Sequence, residues 1–175
     1  MAGVHDELSM LVRAVPDFPI PGVTFRDLTP LMADAAALQR AVLALADPFR
    51  SAGIARVAGI EARGFIFGAL VARELSVGFV PLRKPGKLPA SVESVSYALE
   101  YGTAALEIHR DALPTGMRVL LVDDVLATGG TAAAAVELLQ RLGAQVAGAA
   151  FLLELPALGG RARLERCPVH AVLEA

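Results

Sequence analysis

The sequence predicts an α/β fold in which helices flank a mostly parallel sheet. Two segments, residues 57–76 and 119–142, each place a short apolar run before a loop and a helix-forming run. Further strand-like runs lie at 77–82 and 145–153. Strands that alternate with helices are typical of a parallel sheet, whose strands are buried on both faces. We therefore expect a ligand to bind at the carboxyl ends of the strands.

Length and composition favour one domain of a cytoplasmic protein. The chain has 175 residues, which is enough for a single core, and we assign 1–175 to one domain. A net charge of −2 and a pI near 5.9 argue against nucleic-acid or membrane partners. Cys167 is the only cysteine, which fits a reducing compartment. The first ten residues do not resemble a signal peptide, because they lack a basic start and a long apolar run.

The N-terminal third predicts two helices separated by a long loop. Residues 4–14 are compatible with a short amphipathic helix. The next stretch, PDFPIPGVTFRDLTPL at 16–31, is dense in proline and glycine, so we expect an extended, shaped loop. Long irregular segments of compact domains are more often functional than idle. Asp34 is a candidate N-cap for a helix that ends near Gly53.

The remaining elements alternate regularly, apart from one hairpin. Apolar runs predict strands at 57–61, 77–82, 119–122, 145–153 and 168–173, and helix-forming runs cover 65–76 and the residues from Thr131 to Gly143. The hairpin joins 95–101 to 104–109 through Gly102 and Thr103.

The segment RVLLVDDVLATGGT, residues 118–131, predicts an anion site. After its apolar strand we expect a sharp turn into Asp123 and Asp124, followed by a loop of small residues and a helix. Such a loop collects free backbone N–H groups at the positive end of a helix. Gly129 and Gly130 let the backbone close around a phosphate, and threonine hydroxyls add donors.

The two aspartates restrict the kind of ligand. Carboxylates would repel a bare anion. They accept hydrogen bonds from ribose hydroxyls, however, and they are favourable neighbours of Mg²⁺. The predicted ligand is therefore a sugar that carries a phosphate at one end and a metal-bound group at the other. The patterns GxxxxGK[ST] and GxGxxG are absent from the sequence.

A second cationic cluster lies in the loop RKPGK, residues 83–87. Lys84 and Lys87 are the only lysines among sixteen basic residues, and Arg83 precedes them. Lysine and arginine are not interchangeable at anion sites, because one is a compact point charge and the other a planar fork. Three cations around Gly86 suit a pyrophosphate, although a solvated basic loop is an alternative interpretation.

VLLVDDVLATGGT resembles the 5-phosphoribosyl-1-pyrophosphate (PRPP) motif of type I phosphoribosyltransferases. PDFPIPGVTFRDLTPL, GIEARGFIFG, RKPGKLP, SYALEYG and LLELPALGG are similar, in the same order, to segments of adenine phosphoribosyltransferases. The resemblance implies the type I fold, with a small hood formed by the N-terminal and 155–165 segments and a mobile hairpin. It implies transfer of a phosphoribosyl group from PRPP to adenine, giving AMP and pyrophosphate, in a Mg²⁺-dependent homodimer.

The resemblance also implies a role for each site residue. Asp123 and Asp124 would hold the ribose hydroxyls and lie near Mg²⁺ without necessarily binding it directly. The 5-phosphate would be held by Ala127, Thr128, Gly129, Gly130 and Thr131, and the pyrophosphate by Arg63, Arg83, Lys84 and Lys87. Phe25 and Leu155 would sandwich adenine, while the backbone around Thr24 and Arg26 reads its edge. Glu100 would handle the base proton, with Tyr101 beside it.

Two alternative functions remain open from the sequence. One is a phosphoribosyltransferase for hypoxanthine, guanine or xanthine. The other is a regulatory domain that binds PRPP without turnover, which would not require an acid such as Glu100. The three histidines have no ligand spacing to one another, and Cys167 lacks an activating neighbour, so we expect none of them to be catalytic.

Overall fold

The computed structural model describes residues 2–98 and 102–175. Its centre is a five-stranded parallel sheet, so the predicted α/β class is confirmed. The strands of this sheet are β3 (Arg56–Ile60), β4 (Gly78–Leu82), β7 (Arg118–Leu126), β8 (Gln145–Glu154) and β9 (Val169–Glu174), in the spatial order β4-β3-β7-β8-β9.

The central strand β7 shows why its sequence is a continuous apolar run. Leu120 and Val122 pack into the core on one face of the sheet. Phe67, from the helix that follows β3, belongs to the same part of the core. Val119 and Leu121 enter the core on the other face. Side chains of a strand alternate between its two faces, and here both faces are covered.

Five helices accompany the strands in the part of the chain that is described. They are α1 (Ala2–Ser9), α2 (Thr29–Ala33), α3 (Ala35–Ala46), α4 (Arg63–Glu74) and α5 (Gly130–Arg141). Asp34 caps α3 as predicted, since its side chain accepts a hydrogen bond from the N–H of Ala37 at 2.8 Å. The left-handed Gly143 follows α5, also as predicted. None of these helices has both the length and the apolar character needed to cross a membrane.

The N-terminal third departs from the sequence-based prediction. The first helix ends at Ser9, and Arg13–Val15 forms strand β1 instead of continuing the helix to residue 14. The loop at 16–31 is not wholly irregular, because it contains β2 (Phe25–Asp27), antiparallel to β1, and the start of α2. Helix α3 also ends earlier than predicted, at Ala46, and a 3₁₀ turn follows it.

The predicted hairpin is confirmed within the described residues. Its strands β5 (Val92–Ala98) and β6 (Thr103–His109) pair in antiparallel register. Residues 99–101, which include Glu100 and Tyr101, lie outside the described residues. The backbone of Arg83 also bridges to Glu107, so the hairpin is attached to the end of β4.

Candidate functional site

Most of the predicted site residues gather at the carboxyl edge of the sheet. Arg63 begins α4 after β3, and the basic loop (residues 83–87) follows β4. The phosphate loop, defined here as residues 127–131, follows β7, and Leu155 follows β8. In a parallel sheet these ends lie on the same side, which is where ligands of such folds bind.

Strand β7 continues further than the sequence indicated. We expected a turn at Asp123 and Asp124, but both residues belong to the strand, which ends at Leu126. Pairing with β8 explains the difference, because Asp123 lies opposite Phe151 and Val125 opposite Leu153. The carboxylates are therefore fixed by the sheet instead of by a flexible turn.

The phosphate loop has the geometry of an anion cradle. Gly129 adopts φ +79° and is the N-cap of α5, which begins one residue earlier than the predicted Thr131. The loop lines a small cavity of about 90 Å³ together with Asp123. Free N–H groups at the start of a helix and its positive dipole end favour an anion there.

Arg63 connects the two aspartates to the rest of the site. Asp124 is 6% exposed, and its carboxylate accepts a hydrogen bond from Nε of Arg63. The backbone N–H of Asp124 donates to Oδ1 of Asp123 at 2.9 Å. Burial, and next the charge of Asp124, raise the pKa of Asp123 well above its usual value. A cation at this point would relieve the repulsion between the two carboxylates.

Gly64 allows α4 to approach these carboxylates. A Cβ atom at Gly64 would lie 2.6 Å from Oδ1 of Asp123 and 3.0 Å from the carbonyl oxygen of Val122. Only a residue without a side chain fits between the helix and the strand. The motif GIEARGFIFG thus contains a glycine, Gly64, that the close packing against the strand of Asp123 requires.

The basic loop is anchored by two carboxylates that sequence reasoning missed. Oε2 of Glu61 accepts hydrogen bonds from the N–H of Lys84 at 3.0 Å and from Nε of Arg83 at 3.2 Å. Oε2 of Glu107 accepts from the N–H of Gly86 at 3.0 Å. The bond from Lys84, and then that from Arg83, lower the pKa of Glu61.

This anchoring divides the three cations of the loop into two kinds. Arg83 also donates from Nη1 to the carbonyl oxygen of Lys87 at 3.1 Å, so its guanidinium closes the loop. Lys84 and Lys87 are exposed, and no ion pair of theirs occurs among the described residues. Their ammonium groups are thus available to an anionic ligand.

Of the predicted base-binding residues, Phe25 lies near Arg63, and the four residues are not placed together in one pocket. The ring of Phe25 packs edge-to-face against Phe18 with centroids 5.3 Å apart, and Cζ of Arg63 lies 6.0 Å from its centroid. Thr24 is exposed. The side chain of Arg26 lines a separate cavity of about 300 Å³.

Leu155 is joined to the phosphate loop side of the site. Its N–H donates to the carbonyl oxygen of Leu126 at 2.9 Å, and its side chain is half-buried. Tyr97 was missed by sequence reasoning: its hydroxyl accepts a hydrogen bond from Oγ1 of Thr131 at 3.2 Å. The sequence offered one indication of this contact, because Tyr97 is the first tyrosine of the segment SYALEYG.

The surroundings of the histidines and the cysteine do not indicate a catalytic role. Nε2 of His170 lies 3.0 Å from the carbonyl oxygen of Ala44, and His5 lies on the exposed surface beside Asp6. His109 lies at the end of β6, and its buried Nε2 atom has no hydrogen-bond partner among the described residues. Burial raises the pKa of the Cys167 thiol to about 11, which disfavours the reactive thiolate.

The carboxylates of the site fit a Mg²⁺ ion that is bound mainly by the phosphates of a ligand and only partly by the protein. Among residues 2–98 and 102–175, no cluster of three or more His, Cys, Asp or Glu side chains could enclose a metal ion. Asp123 and Asp124 supply two carboxylates beside the phosphate loop. Mg²⁺ is commonly bound in proteins through one or two carboxylates together with substrate phosphates and water.

Comparisons with known proteins agree with this geometry. The phosphoribosyl transferase domain family matches residues 44–165. Adenine phosphoribosyltransferase of Methylococcus capsulatus is 60% identical over 168 residues, which cover 96% of this chain and 98% of that protein. The corresponding enzyme of Methylobacterium sp. strain 4-46 is 58% identical over 165 residues, covering 93% and 91%.

Solved structures show the same likeness. Adenine phosphoribosyltransferase from Rhodothermus marinus superposes with a TM-score of 0.95 at 49% identity, covering 100% of both chains. The enzyme from Saccharomyces cerevisiae, solved with an imino-altritol bisphosphate and adenine, has a TM-score of 0.94 at 40% identity, covering 99% of this chain and 100% of that one.

Proposed function

The chain belongs to the adenine phosphoribosyltransferase family, and we infer that it transfers the 5-phosphoribosyl group of PRPP to adenine, giving AMP and pyrophosphate. This reaction recovers a free purine base as a nucleotide. One observation supports it most directly: Arg63 contacts Asp124 and also lies against Phe25. A site that held ribose at Asp124 and the base at Phe25 would therefore be continuous through Arg63.

The PRPP half of the site follows from the loops at the sheet edge. The backbone of residues 127–131 holds the 5-phosphate, with Thr128 and Thr131 as hydroxyl donors. Asp123 and Asp124 accept hydrogen bonds from the ribose hydroxyls. Arg63, Lys84 and Lys87 attract the pyrophosphate, and Arg83 contributes charge while it closes the loop. The support for these roles is the geometry of the loops and the chemistry of their donors.

Catalysis in this scheme rests on positioning and electrostatics. Pyrophosphate leaves C1 of the ribose as its charge is neutralised, and a ring nitrogen of adenine attacks from the opposite face. Mg²⁺, when bound through PRPP and near Asp123 and Asp124, neutralises part of the leaving-group charge. The protein holds the two reactants in line and excludes water, which would otherwise hydrolyse the activated sugar.

The base half of the site is the less constrained proposal. Phe25 and Leu155 sandwich adenine, and the backbone near Thr24 and Arg26 reads its edge. A backbone carbonyl accepts from the exocyclic amine of adenine but repels the carbonyl of hypoxanthine. An unpaired buried polar group costs about 1–3 kcal/mol, so several such contacts discriminate between bases.

Glu100 is the proposed proton handler, with Tyr101 beside it on the hairpin. A carboxylate that becomes buried at the base edge has a raised pKa, which suits an acid or base at neutral pH. Glu100→Gln should lower kcat by about 10²–10⁴-fold while the affinity for PRPP stays near normal. An increase in the KM for PRPP with unchanged kcat would contradict this role.

We further propose a cytoplasmic homodimer of single-domain subunits. The lone free thiol fits a reducing compartment. The basic loop is exposed, which leaves it accessible to a second subunit that would share the pyrophosphate site. Mixing the impaired Arg83→Ala and Asp124→Asn proteins should then raise the activity above that of either alone by subunit exchange. Verified exchange without recovery would show that each chain builds its own site.

The decisive test of the activity is incubation with PRPP, Mg²⁺ and each purine in turn. We expect AMP and pyrophosphate from adenine, with far slower reaction of hypoxanthine, guanine and xanthine. Equal or better use of another purine would assign the chain to that base. PRPP binding without turnover of any base would indicate a regulatory domain.

A further inference from the structure

Glu154, the last residue of β8, is buried and forms an ion pair with Arg161, whose side chain is about half exposed. The residue Glu154 is 4% exposed, and its two oxygens accept from Nε of Arg161 at 3.1 Å and from Nη2 of the same guanidinium. Nη1 of Arg161 donates to the carbonyl oxygen of Val169 at 2.9 Å. Such fork-shaped pairs are strong and directional, and a buried carboxylate without a partner is costly.

This pair closes residues 155–160 into a compact loop, which we call the backing loop. Inside it, the N–H of Leu158 donates to the carbonyl oxygen of Leu155, and that of Gly159 to Pro156, both at 3.0 Å. The paired residues are seven positions apart and flank the loop directly, so the pair fixes both ends of the loop. The backing loop therefore has a defined shape although much of it is exposed.

The backing loop lies directly against the phosphate loop. A Cβ atom at Gly160 would lie 2.2 Å from the carbonyl oxygen of Ala127 and 2.9 Å from the nitrogen of Gly129. Conversely, a Cβ at Gly129 would lie 2.4 Å from the carbonyl oxygen of Gly160. Two backbones meet here without side chains between them, and the hydrogen bond from Leu155 to Leu126 continues the contact.

A phosphate cradle needs such support. Gly129 and Gly130 have more conformational freedom than other residues, and anion binding requires their N–H groups to point at one place. We propose that the Glu154–Arg161 pair is a positioning device, which presses the backing loop against the phosphate loop and thereby sets the affinity for the 5-phosphate of PRPP. The role of that phosphate rests on the proposed function.

The proposal joins the two halves of the site. Leu155, the proposed base contact, follows Glu154 directly, and Gly160 precedes Arg161 directly. Each end of the backing loop is thus one residue from a member of the ion pair. Positioning that is accurate before the ligand arrives reduces the entropy lost on binding.

Two variants test the contact and the pair separately. Gly160→Ala inserts a methyl group against Ala127 without changing any charge. The double variant Glu154→Leu/Arg161→Met removes the pair without leaving a buried charge, a replacement that is often tolerated. Arg166→Gln controls for the loss of a guanidinium near this segment, because Arg166 is exposed and forms no ion pair within the described part of the chain.

The readouts are the melting temperature, the KM for PRPP, and the Kd values of AMP and adenine measured by calorimetry. We expect both test variants to stay folded and to raise the KM for PRPP and the Kd of AMP by about 10-fold or more. Gly160→Ala should change the Kd of adenine by less than about 3-fold, because its new methyl group displaces only the phosphate loop. The control should remain within about 2-fold of the wild type throughout.

Folded variants with wild-type KM for PRPP and wild-type Kd for AMP would overturn the proposal. A lower kcat that only follows a smaller folded fraction, with KM unchanged, would also overturn it and leave a purely structural pair. The formation of AMP by the wild type is measured in a separate assay, which tests the proposed function alone. If the wild type formed no AMP, the proposed function would fail, while the change in AMP affinity between variants would still decide this inference.

Discussion

The two loops that we propose as anion-binding loops are supported in different ways. The phosphate loop follows β7, whose Val119–Val122 stretch is completely buried, and it is backed by a second backbone at Gly160. The basic loop is largely exposed and, beyond the backbone bridge between Arg83 and Glu107, is held by single carboxylate oxygens of Glu61 and Glu107. A loop built on the core resists displacement, whereas an exposed loop held by side chains moves at small cost. We expect mutations to reveal this difference.

The largest effect should come from the aspartates at the core-built loop. Asp123→Asn and Asp124→Asn each remove a charge-assisted bond to the ribose or the metal-bound group. Such bonds are worth about 1.5–3 kcal/mol, so kcat/KM for PRPP should fall about 10–100-fold for each variant. The exposed Asp111→Asn is the matched control. Wild-type kinetics of the double variant would remove both residues from the site.

A pair of glycine substitutions sharpens the comparison between the loops. Gly64→Ala places a Cβ 2.6 Å from Oδ1 of Asp123, so it should displace that carboxylate and lower kcat/KM about 10-fold. Alanine is otherwise favoured over glycine in a helix, so the loss cannot come from the propensity of α4. Gly86→Asn enters open space at a φ of +74° that asparagine tolerates, and its effect should be below about 3-fold. The reverse order would contradict the proposed difference.

Charge removal in the basic loop should have a moderate effect. Lys84→Gln and Lys87→Gln remove exposed ammonium groups, and exposed ion pairs are worth only about 0.2–1 kcal/mol. The KM for PRPP should rise about 1.5- to 5-fold for each variant, with kcat less affected. Added salt should reduce the difference from the wild type, because salt screens exposed charges.

Arg73→Gln is the control for these lysines. Arg73 is exposed and lies near the end of α4, far along the helix from Arg63, so it loses the same charge away from the site. An equal rise in KM for this control would show a general effect of net charge. It would leave the assignment of the lysines to pyrophosphate unsupported.

The sequence predicted the parts of the site that are local in the chain. The strand, the aspartates and the glycine loop at 118–131 lie in one stretch, so strand pattern and turn chemistry suffice to predict them. The supports of the site are long-range. Glu61 is 23 residues from Lys84, and Thr131 is 34 residues from Tyr97. Such contacts depend on the order of strands in the sheet, which a single sequence does not encode by periodicity.

The N-terminal segment was mispredicted for a different reason. Strands β1 and β2 contain three residues each, which is too short for an alternating pattern to be recognised. Proline and glycine between them favour a loop locally, but the pairing of Arg13 with Asp27 through backbone and side chain stabilises the strands. The tertiary contacts therefore override a local preference.

The smallest effect should come from the anchor of the basic loop. Glu61→Gln keeps an acceptor oxygen for the N–H of Lys84, so the KM for PRPP should rise only about 2-fold. The negative charge is lost, however, and with it the ion pair between Glu61 and Arg83. The variant should therefore have a slightly lower melting temperature than the wild type at neutral pH.

The pH dependence of that difference tests the anchor itself. Hydrogen bonds from Lys84 and Arg83 lower the pKa of Glu61 in the folded protein, so its carboxylate stabilises the fold above the ordinary glutamate pKa of about 4.3. That stabilisation is lost as the pH falls through the lowered pKa. The difference in melting temperature between the wild type and Glu61→Gln should be constant from about pH 8 to 5 and shrink below about pH 4. Glu137→Gln, which removes a carboxylate paired with Arg141 on the solvent side, controls for net charge. A difference that grows on acidification would show that Glu61 does not anchor the loop through its charge.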